Sequence, residues 1–280
     1  MIHKEYHWKG HDGIMLYGQS WMPDGPAKAV INYVHGFKDH SNRFERWALR
    51  FVSEGIGVIA IDLRGHGRSE GKRGYAKNFN DYIRDVRLLR RKAQELYGNS
   101  FQVLYGHSLG GNIVTNYLIA RKIMPQAAVV TSPWFTLALK PSWITMAGAH
   151  MIRLILPNLV ISSNLDAQYL SHDQQVVDDY GKDPLVHNLI RPKLFFEIEK
   201  NGILASTSIY KINVPMLVMH GSDDHITSFR QTKNFVRNAG PNTLFKEWPG
   251  GYHELHNEPE EKEIFSYVLG WINNQIQVNG

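Results

Sequence analysis

FQVLYGHSLGGNIVTNYLIAR, residues 101–121, is the stretch whose reading decides the fold. Residues 101–105 form a short, nearly continuous apolar run with an aromatic and a β-branched residue, which suits a buried strand of a parallel sheet. From Leu109 onward the apolar residues Leu109, Ile113, Val114, Tyr117 and Leu118 recur at helical spacing. Between strand and helix, Gly106 and Gly110 flank Ser108 two positions to either side. A serine carried on so sharp a turn adopts a strained backbone, and a Cβ at either flanking position would collide with the neighbouring chain. The hydroxyl is thereby lifted to a helix N-terminus, where free N–H groups and the helix dipole favour developing negative charge.

The order strand, G-x-S-x-G turn, helix resembles the nucleophile elbow of the α/β-hydrolases. A hydroxyl near its free pKa is a weak nucleophile, so an acid and a histidine are needed later in the chain, in that order. Residues 214–220 read as another apolar strand, and Gly221-Ser222-Asp223-Asp224 follows its end, where catalytic side chains of open α/β sheets gather. The three-residue step from Gly221 to Asp224 matches the acid turn of the superfamily; the adjacent Asp223 is the reserve. Residues 243–248 read as the last strand, before the loop Pro249-Gly250-Gly251-Tyr252-His253 and a terminal helix. The chain has 14 histidines, so it is position after the last strand that singles out His253 as the base.

A chain of 280 residues accommodates one α/β domain with an insertion, and a hydrophobic content of 43% is ample for its core. There are no cysteines, so neither disulfides nor thiol chemistry enters, and either redox compartment is permitted. The start, MIHKEYHWKGHDG, carries charges and no apolar h-region, against a secretory signal peptide, and the expected location is cytoplasmic. A net charge of +5 without a lysine or arginine run argues against nucleic acid and is compatible with weak attraction to an anionic membrane.

Strands are expected over 13–21, 29–34, 57–61 and 127–131, with a turn at 23–26. Residues 46–54 end an amphipathic helix opened by Ser41 or Asn42 and stopped by Gly55, and a second helix runs over 79–97 with Gly98 beyond it. The loop after residues 29–34 begins His35-Gly36-Phe37; in the superfamily it supplies one of two backbone N–H donors to the oxyanion, and the residue after the nucleophile supplies the other. By position these are Phe37 and Leu109. The His35 side chain is as readily a turn-closing group as a functional one. Asp62 to Ser69, DLRGHGRS, lacks a P-loop lysine and a G-x-G-x-x-G pattern, so it reads as a buttress of the site floor rather than a phosphate cradle.

From residue 133 to residue 208 the alternation of strands and helices breaks. The expected organisation is a hydrolase core of 1–132 and 209–280 with a helical cap or lid of 133–208. Within the cap, WITMAGAHMIRLILPNLVI at 143–161 is interrupted by His150, Arg153 and Pro157 and is a poor bilayer-spanning helix. It reads as a lid lining an acyl pocket and dipping into a lipid interface, or as the core of an insertion; the two are compatible.

With these residues in hand, the chain resembles the monoacylglycerol lipase family, in the serine-hydrolase branch of the α/β-hydrolases. The matching stretches are HGFKDHSNRF from His35, DLRGHGRSEG from Asp62, GHSLGG from Gly106, SPW from Ser132, LPNL from Leu156, VDDYGKDPL from Val177, GSDD from Gly221 and GYHELH from Gly251. The resemblance implies Ser108, Asp224 and His253 as triad, Phe37 and Leu109 as oxyanion hole, and Asp39, Arg43, Tyr180 and His256 around the glycerol head. It implies hydrolysis of a monoacylglycerol through an acyl-serine, with no metal or cofactor. The chain departs from mammalian members at Phe37-Lys38 and Trp134-Phe135 and lacks the family's reactive cysteines. Rival readings are a lysophospholipase or broad carboxylesterase on the same triad, a peptidase of the same fold, and a non-catalytic ligand receptor.

Overall fold

The computed structural model describes residues 1–98, 100–120, 124–139, 142–156, 159–163, 165–208 and 212–279. Arg121, at the end of the opening stretch, and Pro157 and Asn158 of the LPNL motif lie outside the described residues. Along the chain come β1 (Ile2–Lys9), β2 (Met15–Met22), β3 (Ala29–Val34), α1 (Glu45–Ser53), β4 (Ile56–Ile61), α2 (Phe79–Tyr97), β5 (Phe101–His107), α3 (Leu109–Ala120) and β6 (Ala127–Thr131). Then follow α4 (Trp143–Ile155), β7 (Ile161–Ser162), α5 (Gln174–Lys182), β8 (Leu189–Ile190), α6 (Pro192–Thr207), β9 (Met216–Gly221), α7 (Phe229–Arg237), β10 (Thr243–Trp248) and α8 (Glu261–Asn279).

Eight strands form one sheet in the order β1-β2-β4-β3-β5-β6-β9-β10, antiparallel at β1/β2 and β2/β4 and parallel elsewhere. Successive side chains of a strand point to opposite faces, and each central strand therefore feeds two cores. In β3, Val30 and Val34 join the face covered by α2 and α3, whereas Ile31 and Tyr33 join the face covered by α1 and α8; in β5, Leu104 goes one way and Val103 and Tyr105 the other. Both faces being covered, the parallel strands read as continuous apolar runs.

The expected strands 29–34, 127–131 and 243–248 and the helix 79–97 have the bounds observed. Elsewhere the ends shift for local reasons. Gly13 is at φ 88° in a turn closed by Gly10 N–H to the Ile14 carbonyl, so β2 starts at Met15 rather than 13. The helix expected to open at Ser41 or Asn42 and end by Glu54 starts at Ser41 as a 3-10 turn, Ser41–Phe44, and continues as α1 to Ser53, with Gly55 at φ 74°. β1 was not expected at all: its polar residues leave it mostly exposed, and it is held at the sheet edge by pairing with β2.

Residues 133–208 enter between β6 and β9 and carry α4, α5, α6 and the two-stranded β7/β8 pair. Asn112 of α3 ties this segment to the sheet by donating to the carbonyls of Trp134 (2.8 Å) and Ile198 (3.0 Å). Among the described residues, no helix is long and apolar enough to cross a membrane.

Candidate active site

Ser108 sits between β5 and α3 at φ 54°, a conformation that L-residues rarely adopt. A Cβ on Gly106 would strike the Gly110 carbonyl, and one on Gly110 the Val34 carbonyl, so only glycines admit the turn. Among the described residues, the other two non-glycine residues at positive φ, Lys38 (61°) and Ser132 (44°), lie on the loops after β3 and β6, beside the same strand ends. Strain gathered at one place marks a site.

The loop after β3 approaches the serine closely: a Cβ on Gly36 would lie 3.1 Å from Ser108 Cβ. His35 fixes this loop. Its Nε2 accepts the Leu63 N–H (2.9 Å), which leaves Nδ1 to donate to the Gly36 carbonyl (2.7 Å), and burial lowers its pKa in keeping with a neutral ring. The Asp62 carboxylate then accepts the backbone N–H groups of Ser41 (2.7 Å) and Arg68 (2.7 Å), and Arg64 is held by Asp85 (2.6 and 2.7 Å) and Asp12 (2.7 Å). DLRGHGRS is thus a hydrogen-bonded buttress. Phe37 follows Gly36 on this loop, and Leu109 opens α3 directly after Ser108; the Leu109 N–H, in the first turn, has no partner within its helix.

At the end of β9, Asp224 and not Asp223 meets the histidine. Asp224 Oδ2 lies 2.8 Å from His253 Nδ1, and it also accepts from His220 Nε2 (2.9 Å) and Thr227 Oγ1 (2.7 Å), while Oδ1 takes the N–H groups of Ile226 (2.8 Å) and Thr227 (2.9 Å). Asp223 is exposed and faces His225. Burial opposes the charge of Asp224, but His253 and the other donors outweigh it and hold its pKa well below the usual carboxylate value. Burial likewise opposes a charged His253, and the Asp224 carboxylate overrides it, leaving the pKa above the ordinary histidine value. Close backbone approach makes the pairing: a Cβ on Gly221 would collide with the Gly251 carbonyl, and Ser132 Oγ donates to the His253 carbonyl (2.7 Å).

Ser108 and His253 line a chamber of about 40 Å³ together with Gly36, Asp39, Tyr180 and Glu254. Phe37, Trp134, Leu137, Leu165 and Ile226 are shared between its wall and that of a second, largely apolar cavity of about 510 Å³ reaching Ile161, Ile190 and Phe195 in the 133–208 segment. Of the head-group residues implied by resemblance, Asp39 and Tyr180 are on the chamber wall and Arg43 lies behind them, 4.7 Å from the Tyr180 ring centroid. His256 is elsewhere: it is packed among His107, Phe44 and Trp47, and burial lowers its pKa to about 4.

The family model described as serine aminopeptidase, S33 (Hydrolase_4) matches residues 25–260. The chain belongs to this serine-hydrolase family. A monoacylglycerol lipase of Mycolicibacterium smegmatis is 32% identical, with 96% of this chain and 96% of that protein covered. An uncharacterized abhydrolase domain-containing protein of Dictyostelium discoideum is also 32% identical over 92% of this chain, which spans only 28% of that longer protein. The crystal structure of Paleococcus ferrophilus monoacylglycerol lipase superimposes with a TM-score of 0.83 at 29% identity, covering 93% of this chain and 99% of the other. The protein is accordingly a carboxylic ester hydrolase of the α/β-hydrolase fold.

Two residues of this hydrolase site escaped the sequence reading. His220, next to the end of β9, shares Asp224 with His253. Glu254, buried next to the histidine, accepts both terminal nitrogens of Arg43 at 2.7 Å. GYHELH carries Glu254 in plain view, but a carboxylate there reads as surface until its partner is known. Among the described residues, no group of three or more histidines and carboxylates is placed to hold a metal ion.

Proposed function

We propose that this hydrolase cleaves monoacylglycerols to fatty acid and glycerol, with Ser108 as nucleophile, His253 as base and Asp224 as its orienting acid. The observation that carries this reading is the two-part cavity: a small chamber at Ser108, with Asp39, Tyr180 and Glu254 among its lining residues, shares a wall with a larger, largely apolar one, which suits an acyl chain with a short polar head. His253 Nε2, the nitrogen that Asp224 leaves free, takes the Ser108 proton as Oγ attacks the ester carbonyl. The oxyanion rests on the N–H groups of Phe37 and Leu109, where one donor is worth about 3 kcal/mol. Glycerol departs with the proton from His253, and water, activated by the same base, releases the fatty acid from Ser108.

The cap is residues 133–208, and its exposed apolar residues Leu139, Met151, Ile155, Leu156, Leu159, Val160 and Ile161 form the face that meets lipid. Purified protein assayed on monoacylglycerols, diacylglycerols, lysolipids and short p-nitrophenyl esters tests the substrate; preference for monoacylglycerols is expected. Ser108→Ala is expected to lower kcat by at least about a thousandfold. Retained activity in that variant overturns the nucleophile, and equal rates on lysophosphatidylcholine overturn the substrate.

A further inference from the structure

Among the described residues, every charged side chain on the wall of the reaction chamber, the histidines His107 and His253 apart, is an acid. Asp39 and Glu254 line it, and among the described residues no lysine or arginine does. The neighbouring cation, Arg43, is already engaged: Glu254 takes both terminal nitrogens at 2.7 Å, Asp39 Oδ1 takes Nη1 at 3.2 Å, and Tyr180 lies under the guanidinium. Asp39 Oδ1 also accepts the His40 N–H at 2.7 Å. Among the described residues Asp39 Oδ2 has no hydrogen-bond partner, although the residue is only 3% exposed. A buried carboxylate oxygen without a partner, on the wall of a substrate chamber, calls for a donor carried by the ligand.

We propose that Asp39 makes the chamber a charge filter, and that acyl esters of small amino alcohols, whose head carries an ammonium, are a second substrate class for it. Esters with an anionic head are refused. The proposal rests on ester hydrolysis at Ser108 and adds to it what the head must carry. A phosphate or carboxylate would be buried against two acids, and Glu254 acts as a positioning residue that keeps the Arg43 charge from inviting it. The chemistry is unchanged: Ser108 Oγ bonds to the acyl carbon, the bond from that carbon to the amino-alcohol oxygen breaks, His253 protonates that oxygen, and water then frees the acid and restores the serine.

The test uses four esters of one fatty acid with heads of matched size at neutral pH: glyceryl, 2-(dimethylammonio)ethyl, 3-methylbutyl and 2-carboxyethyl. The tertiary amine prevents migration of the acyl group to nitrogen. Expected values of kcat/KM place the ammonium ester at least tenfold above the 3-methylbutyl ester and the carboxyethyl ester at least tenfold below it. In Asp39→Asn the ratio of ammonium to 3-methylbutyl ester is expected to fall to near one. Should that variant not fold, the wild-type ranking decides alone. An ammonium ester no faster than the 3-methylbutyl ester, with the glyceryl ester still cleaved, overturns the filter only; failure to cleave any of the four overturns the proposed function itself.

Discussion

The His253 imidazole is where the chemistry of the site can be read as a titration. Its buried surroundings favour the neutral ring, yet the Asp224 carboxylate at 2.8 Å raises its pKa above the ordinary histidine value. The proposed general base must be neutral to act, so kcat/KM is expected to fall on acidification with a midpoint above about 6.5. Asp224→Asn removes the cause: the midpoint should drop and the rate should fall by roughly ten-thousandfold, as when a triad histidine loses its acid. Parallel pH–rate profiles check both, and a wild-type midpoint at or below the free histidine value contradicts the pairing. Glu254 makes a second case. Glu254→Gln leaves the Arg43 guanidinium buried without its bidentate counter-charge, and a loss of about 3–5 kcal/mol in urea unfolding is expected. The two residues differ in legibility for one reason. His253 is found from its place after the last strand, whereas the Arg43 and Glu254 pair spans 211 positions and leaves no local pattern.

Elements were legible where burial writes the pattern. β3, β6 and α2 are bounded by turn residues and filled by apolar side chains at strand or helix spacing, and their ends coincide with the expected ones. β1 follows no such rule, because an edge strand stabilised by backbone pairing needs no buried face. The segment from 133 to 208 was legible only as a break in alternation, since its helices are positioned by contacts with distant loops, as when Lys38 Nζ donates to the Ser163 carbonyl at 2.9 Å and His40 Nε2 meets Asp183 at 2.8 Å. α6 gives a prediction of this kind. Alanine is a better helix former than glycine by up to about 1 kcal/mol, so propensity alone says that Gly202→Ala stabilises. A Cβ there would instead strike the Phe135 backbone, and the variant is expected to melt below the wild type. A raised Tm would show that α6 does not pack so close to that chain.

For the molecule as a whole, a polar surface with net charge +5 is broken by apolar side chains concentrated along one piece of the 133–208 segment, the proposed cap. Met151 and Ile155 stand 54% and 68% exposed on α4 and line neither cavity, so an interior role does not account for them. If they enter the interface of a bilayer, each contributes on the order of 1–1.5 kcal/mol of burial, a share of the 1.5–3 kcal/mol for a fully buried side chain. Replacing both by serine should then weaken partitioning to phosphatidylcholine vesicles by roughly thirtyfold or more. Turnover of a short, water-soluble p-nitrophenyl ester should stay the same, because the triad and both cavity walls are untouched. Cosedimentation with vesicles and a paired assay on soluble and vesicle-borne substrate separate the outcomes. Loss of both activities would point to a damaged fold, and equal vesicle binding by variant and wild type would remove the cap from the interface and leave its apolar face without a lipid partner.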